Sequence, residues 1–198
     1  MLSIRQLSRP GVAPFDLDLG DGECVALSGP SGAGKTLLLR AIADLDPNRG
    51  EIGLDGVPRE SIPAPQWRRK VTYLPAEPGW WADGVGAHFP DHQAAAALLP
   101  ALGLPPEALS WPVSRLSTGE RQRLALARVL LLSPRVMLLD EPTSALDSET
   151  TVRVEAILKE HLAGGAAILL VTHTPEQAGR LGQRCLMIDR GRVSEGRP

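Results

Sequence analysis

The sequence predicts an α/β protein centred on a parallel β-sheet with helices on both faces, and two patterns carry that reading. Five apolar runs of strand length, Cys24–Ser28, Val71–Leu74, Val136–Leu139, Ala167–Val171 and Arg184–Ile188, alternate with helical stretches such as Thr36–Ala43, Glu120–Leu132 and Thr151–Leu162. Alternation of that kind builds a parallel sheet covered on both sides. Near the N-terminus, Leu2–Leu7 and Phe15–Leu19 are short strand-like segments separated by a Pro/Gly turn, and Gly50–Leu54 is a third, bounded by Asp55-Gly56. These predict a small antiparallel β subdomain.

At 198 residues the chain has room for one domain with a substantial core. Hydrophobic residues make up 43% and charged residues 22% of it, a globular composition that argues against disorder. A formal net charge of −2 offers no basic field, so no nucleic-acid partner is expected. The two cysteines, Cys24 and Cys185, both fall in strands and read as core residues of a reduced protein. The N-terminus has no charged-then-apolar leader, and no stretch approaches about 18 uninterrupted apolar residues. We therefore expect a soluble, cytoplasmic chain that reaches any membrane through a partner.

Between the first apolar run and the helical run Leu37–Ala41 lies Gly29-Pro30-Ser31-Gly32-Ala33-Gly34-Lys35-Thr36, a complete phosphate-binding P-loop. Its glycines let the backbone curl with N–H groups pointing inward, so that the turn and the following helix N-terminus cradle a triphosphate. Lys35 reaches the β- and γ-phosphates and Thr36 offers its hydroxyl to Mg²⁺. The ligands expected on this loop are a nucleoside triphosphate and Mg²⁺, which leaves kinases, GTPases and many ATPases open; ATP is chosen among them by the resemblance that follows. Further along, four apolar residues deliver Asp140 and Glu141 at the carboxyl end of the strand Val136–Leu139, where ligands collect in such sheets.

Four more segments accompany the P-loop: Leu116-Ser117-Thr118-Gly119-Glu120-Arg121-Gln122-Arg123, Val136–Pro142, Ser144-Ala145-Leu146-Asp147 and Val171-Thr172-His173. In this order they resemble the ATP-binding cassette (ABC) family, over nearly the whole chain from Cys24 onward. The resemblance implies a P-loop NTPase fold over residues 1–198, with a helical subdomain at about 78–132 inserted in a RecA-like core. Between Pro75 and Arg115 the composition shifts to Trp, Ala, His and Pro; Ala94–Leu102 is the best helical piece, and Pro90, Pro100, Pro105, Pro106 and Pro112 interrupt the rest.

The resemblance also implies roles. Asp140 holds Mg²⁺ directly or through water, and Glu141 orients the water that attacks the γ-phosphate, most of the catalysis coming from positioning and charge neutralisation. His173 sits where the family's switch histidine bonds the γ-phosphate and that water. Ser117 and Gly119, with Glu120 beside them, face the γ-phosphate held by a second copy of the chain. A complete site then needs two copies arranged head-to-tail. Ser117 and Glu120 equally form a capping box for the helix they open, and Asp147 matches a loop crossing the dimer interface or caps the Glu149–His161 helix.

Three features depart from the family. Thr118 and Glu120 replace residues of its commonest signature. An aromatic about 20 to 25 positions before the P-loop lysine usually stacks on adenine, yet Leu7–Pro14 has none, and Arg9 offers only a guanidinium plane. After Val71–Leu74 the family places a glutamine that contacts Mg²⁺; here Ala76 stands there and Glu77, one step later, either serves the metal or points to solvent. Trp80 and Trp81 follow, and adjacent residues cannot both face inward, so one of them is expected at the surface, lining a groove for a membrane partner. The function expected is ATP hydrolysis energising transport through separate polytopic membrane-spanning subunits, the chain sitting on the inner face of the cell membrane. Two rivals remain: a soluble ABC ATPase acting on DNA or ribosomes, and a P-loop small-molecule kinase, which leaves Leu116–Arg123 and His173 without a role.

Overall fold

The computed structural model describes residues 1–196. In chain order the elements are β1 (Leu2–Arg9), β2 (Val12–Leu19), β3 (Cys24–Ser28), α1 (Lys35–Ile42), β4 (Arg49–Leu54), β5 (Val57–Pro58), α2 (Ala64–Lys70) and β6 (Val71–Leu74), then α3 (His92–Leu98), α4 (Thr118–Leu131), β7 (Val136–Asp140), α5 (Ser148–Ala163), β8 (Ala167–Val171), α6 (Pro175–Leu181), β9 (Arg184–Asp189) and β10 (Arg192–Glu195). Two sheets result. The antiparallel one runs β2-β1-β4-β5, and the six-stranded one runs β10-β9-β3-β8-β7-β6. Within the second, β9, β3, β8, β7 and β6 are parallel and β10 adds an antiparallel edge.

The central parallel strands β3, β8 and β7 are buried over nearly all their residues because both faces are covered, and alternate residues feed two different cores. Val136 and Leu138 of β7, with Leu169 and Val171 of β8, pack with α1 and the antiparallel sheet. Met137 and Leu139, with Ile168 and Leu170, pack with α4 and α5. Trp67 of α2 is fully buried in the first core and donates its indole N–H to the Ile42 carbonyl at 2.9 Å, which ties α2 to the end of α1. Residues 85–115 contribute Val85, Phe89, Ala95, Leu99, Leu102 and Ala108 to the second core rather than forming one of their own.

Four elements were not foreseen: β5, α2, α6 and β10. All are seven residues or shorter, too brief for periodicity to register. The predicted helix Ala94–Leu102 is corrected. Asp91 caps an earlier start by accepting the Ala94 N–H at 2.9 Å, the α-helix stops at Leu98, and Leu99–Leu102 tightens into a 3₁₀ turn around Pro100, which cannot donate to an α-helical ladder. The helix placed at Thr151–Leu162 begins at Ser148, because Asp147 accepts the Thr150 N–H at 2.8 Å. Asp147 is therefore an N-cap.

Candidate functional site

The P-loop joins β3 to α1 at the carboxyl edge of the parallel sheet. Two of its glycines are required by geometry. Gly29 has φ 147° and lies so close to the Ile188 carbonyl that a side chain has no room, while Gly34 caps α1 at φ 110°, a left-handed conformation that glycine adopts without strain. Lys35 folds back over the loop, its Nζ donating to the Gly29 carbonyl at 2.7 Å and the Pro30 carbonyl at 3.0 Å. Burial pulls its pKa below the usual lysine value, against the opposing pull of the Glu141 and Asp140 carboxylates.

Strand β7 brings its terminal carboxylates to the same edge. Asp140 is buried, and one of its oxygens accepts from the Thr36 hydroxyl at 2.7 Å and from the Tyr73 hydroxyl at 3.1 Å. The sequence reading missed Tyr73. Its phenol pKa is raised by burial and by the neighbouring Asp140 charge, so it acts as a donor there. Thr36 and Asp140 present hard oxygen donors of the kind that Mg²⁺ accepts alongside phosphate and water. Among the described residues no cluster of three or more His, Cys, Asp and Glu forms a metal cage.

Glu141 is the first residue beyond β7, with φ 51°, a left-handed conformation that costs a non-glycine residue about 1–3 kcal/mol. Neighbours hold it there: its N–H donates to the Val171 carbonyl at 3.0 Å, and its carbonyl accepts from Gln122 Nε2 at 2.6 Å and from the Ser144 hydroxyl at 3.1 Å. Its carboxylate meets His173, with Oε1 3.0 Å from Nε2. A cleft of about 240 Å³ is lined by residues of the P-loop and α1 together with Asp140, Glu141 and His173. Lys35, Thr36, Asp140, Glu141 and His173 are thus gathered at one place.

Ser117, Gly119 and Glu120 are not among its lining residues. They form the first turn of α4, where the capping box is complete: the Glu120 N–H donates to Ser117 Oγ at 3.3 Å, and the Ser117 N–H donates to Glu120 Oε2 at 2.8 Å. The Ser117 N–H, and the Ser117 hydroxyl that also donates to Oε2 at 2.8 Å, hold the Glu120 carboxyl below its ordinary pKa. Glu77 is exposed in the loop after β6 and also outside the cleft lining, as is Ala76. Arg9 is committed to an ion pair with Asp46, at 2.5 Å, so its guanidinium is not free. Trp81 is 72% exposed and Trp80 half-buried; both rings pack on His88, and the Arg128 guanidinium lies over both. Trp81 lines a groove of about 620 Å³ with Leu74, Phe89, Ala125 and Val129.

A family model described as ABC transporter matches residues 12–144, which include the P-loop, the α4 segment and the Asp140-Glu141 pair. The chain belongs to the ABC transporter family. It is 41% identical, over 90% of its length and 72% of the relative's, to the aliphatic sulfonates import ATP-binding protein SsuB 2 of Rhodococcus jostii. A second such import protein, SsuB 3 of Nocardia farcinica, is also 41% identical, over 91% of this chain and 71% of the relative. A solved ATP-binding subunit of an ABC transporter superposes with TM-score 0.89 at 26% identity, covering 99% of this chain and 89% of that one. A dimeric cassette in a post-hydrolysis state with ADP and phosphate has TM-score 0.85 at 24% identity, each chain covered in full, and shows the shared fold. This ABC protein is an ATP-binding subunit and an ATPase that energises transport.

Proposed function

We propose that two copies of this chain bind ATP and Mg²⁺ head-to-tail and that hydrolysis between them drives import through polytopic membrane-spanning subunits. The observation that carries the proposal is the division of the site: Lys35, Thr36, Asp140, Glu141 and His173 surround one cleft, while the capped first turn of α4 opens elsewhere on the same chain. In this reading the P-loop N–H groups and Lys35 bind the triphosphate, and Thr36 and Asp140 would hold Mg²⁺, which when bound would supply charge neutralisation. Glu141 accepts a hydrogen bond from the attacking water and aligns it with the γ-phosphate. His173, already bonded to Glu141 at 3.0 Å, fixes the carboxylate's aim and reaches the γ-phosphate with the same ring. Ser117 Oγ and the Gly119 N–H of the other copy donate to that phosphate at a helix N-terminus, where the dipole favours negative charge. Glu77, exposed and outside the cleft lining, takes the solvent-facing one of its two alternatives.

Residues 1–198 serve as one nucleotide-binding domain, with about 78–132 as its helical subdomain, a reading supported by the core those residues share with the parallel sheet. The Trp81 groove is the docking place for a helix of the membrane subunit, an apolar trough with an aromatic anchor at its rim. No helix is long and apolar enough to cross a membrane among the described residues, and the chain is placed on the inner face of the cell membrane through that contact. Import of aliphatic sulfonates, the activity in the relatives' names, is the cargo assignment those relatives support.

The test is Glu141→Gln, which keeps the shape of the site but removes the carboxylate. With ATP and Mg²⁺ the variant is expected to elute from a sizing column as a stable dimer, with hydrolysis slowed roughly 10²–10⁴-fold. Hydrolysis at the wild-type rate would remove Glu141 from the mechanism.

A further inference from the structure

Gln122 is a buried polar side chain near the reaction, 2% exposed, and nothing in the reading above gives it a task. It lies on α4, five residues beyond Ser117. Its amide is fully engaged with the segment that follows β7: Nε2 donates to the Glu141 carbonyl at 2.6 Å and to Ser144 Oγ at 3.3 Å, while Oε1 accepts the Ala145 N–H at 3.2 Å. The first turn of the same helix presses on the same segment, because a side chain at Gly119 would come within 2.9 Å of the Ala145 carbonyl. Glu141 itself has φ 51°, a conformation that persists only where its surroundings enforce it.

We propose that Gln122 is a positioning residue: it holds the Glu141 backbone in its left-handed conformation, thereby aiming the carboxylate, and ties that aim to the helix whose first turn meets the other copy's nucleotide. The donor matters as much as the acceptor. Without Nε2 the Glu141 carbonyl keeps only the local N–H and hydroxyl of Ser144, so the peptide is free to rotate toward ordinary φ values and swing the side chain away from the cleft. Each copy then senses, through a single amide, whether its α4 is engaged on the opposite site before its own water is aligned. This inference rests on the proposed role of Glu141.

Two substitutions test it. Gln122→Ala removes both bonds, whereas Gln122→Glu keeps an acceptor for Ala145 but offers the Glu141 carbonyl no donor. Both are expected to lower kcat roughly ten- to a hundredfold, as a misplaced catalytic group does, with KM for ATP changed less than about twofold because ground-state binding is untouched. In a Glu141→Gln background neither should lower the residual rate further, since the residue it aims is already disabled. A Gln122→Glu variant that hydrolyses at the wild-type rate, or a full additional loss in the Glu141→Gln background, would overturn the proposal. Thermal unfolding of each variant identifies any that fails to fold, and Gln122→Glu, nearly isosteric, decides the matter where Gln122→Ala does not fold. Failure of the underlying reading is distinguishable: Glu141→Gln alone would then retain the wild-type rate.

Discussion

His173 Nε2 lies 3.0 Å from Glu141 Oε1, so the first residue beyond β7 and the second residue beyond β8 are joined directly. These strands are neighbours in parallel register, Asp140 opposite Val171, and the register alone brings the two side chains to the same edge. Replacing His173 by alanine should lower kcat by roughly 10²–10⁴-fold while KM for ATP stays within about threefold, because the carboxylate loses its lateral support and the phosphate loses a donor. Phosphate release under saturating ATP measures this. A wild-type rate would mean that the contact is structural.

The magnesium site gives a paired prediction. Tyr73 donates to the Asp140 oxygen that Thr36 also uses, whereas Glu77 is exposed outside the cleft lining. In titrations of hydrolysis against Mg²⁺, Tyr73→Phe should move the midpoint severalfold and Glu77→Ala should leave both midpoint and maximal rate unchanged. A shift with Glu77→Ala instead would bring that carboxylate into the metal's shell once ATP is bound.

Trp67 and Trp81 make a contrasting pair. Trp67 is fully buried and hydrogen-bonded to Ile42, so Trp67→Ala should cost about 3–5 kcal/mol and lower the unfolding temperature by about 2–4 °C for each of them. Trp81 is 72% exposed. Trp81→Ala should leave unfolding and nucleotide binding as they are and abolish co-purification with the membrane subunits.

Asp46 supplies a pH prediction. Its carboxylate is bonded by Arg40 Nε and Nη2, both at 2.8 Å, and by Arg9, which holds its pKa well below the usual carboxylate range. A group whose pKa is depressed by folding stabilises the fold above its unfolded pKa and loses that contribution as pH falls toward the folded value. Asp46→Asn should therefore be less stable than the parent at pH 7, by roughly 1–3 kcal/mol, and the gap should narrow below about pH 4. Chemical denaturation at a series of pH values reads this; a constant gap would contradict it.

Much of this was legible in the sequence where residue type and spacing act locally. The five parallel strands could be read because burial leaves them mostly apolar, and three of them, Cys24–Ser28, Val71–Leu74 and Ala167–Val171, have the predicted bounds. The Ser117–Glu120 capping box was legible for the same reason, its partners lying three residues apart. What could not be read depends on long-range register. Tyr73 reaches Asp140 only because β6 pairs with β7, and Gln122 reaches Glu141 only because α4 packs under the end of that strand. Arg9, proposed to stack on a base, found Asp46 instead across 37 residues of sequence. The short elements α2 and α6 carried a usable signal in the prolines near their starts, Pro65 in the first turn of α2 and Pro175 at the first position of α6.

The division of the site between two copies is tested most directly by mixing two inactive variants. Lys35→Ala disables the P-loop and Ser117→Arg blocks the first turn of α4, so neither protein alone should hydrolyse ATP. In a head-to-tail pair of one with the other, the intact P-loop of the Ser117→Arg chain faces the intact α4 turn of the Lys35→Ala chain, and one complete site is restored. Equal mixing is expected to recover roughly a quarter of the wild-type activity, half of the pairs being mixed and each carrying one working site of two. A mixture as inactive as its components, or a Ser117→Arg variant that is fully active alone, would contradict the shared site.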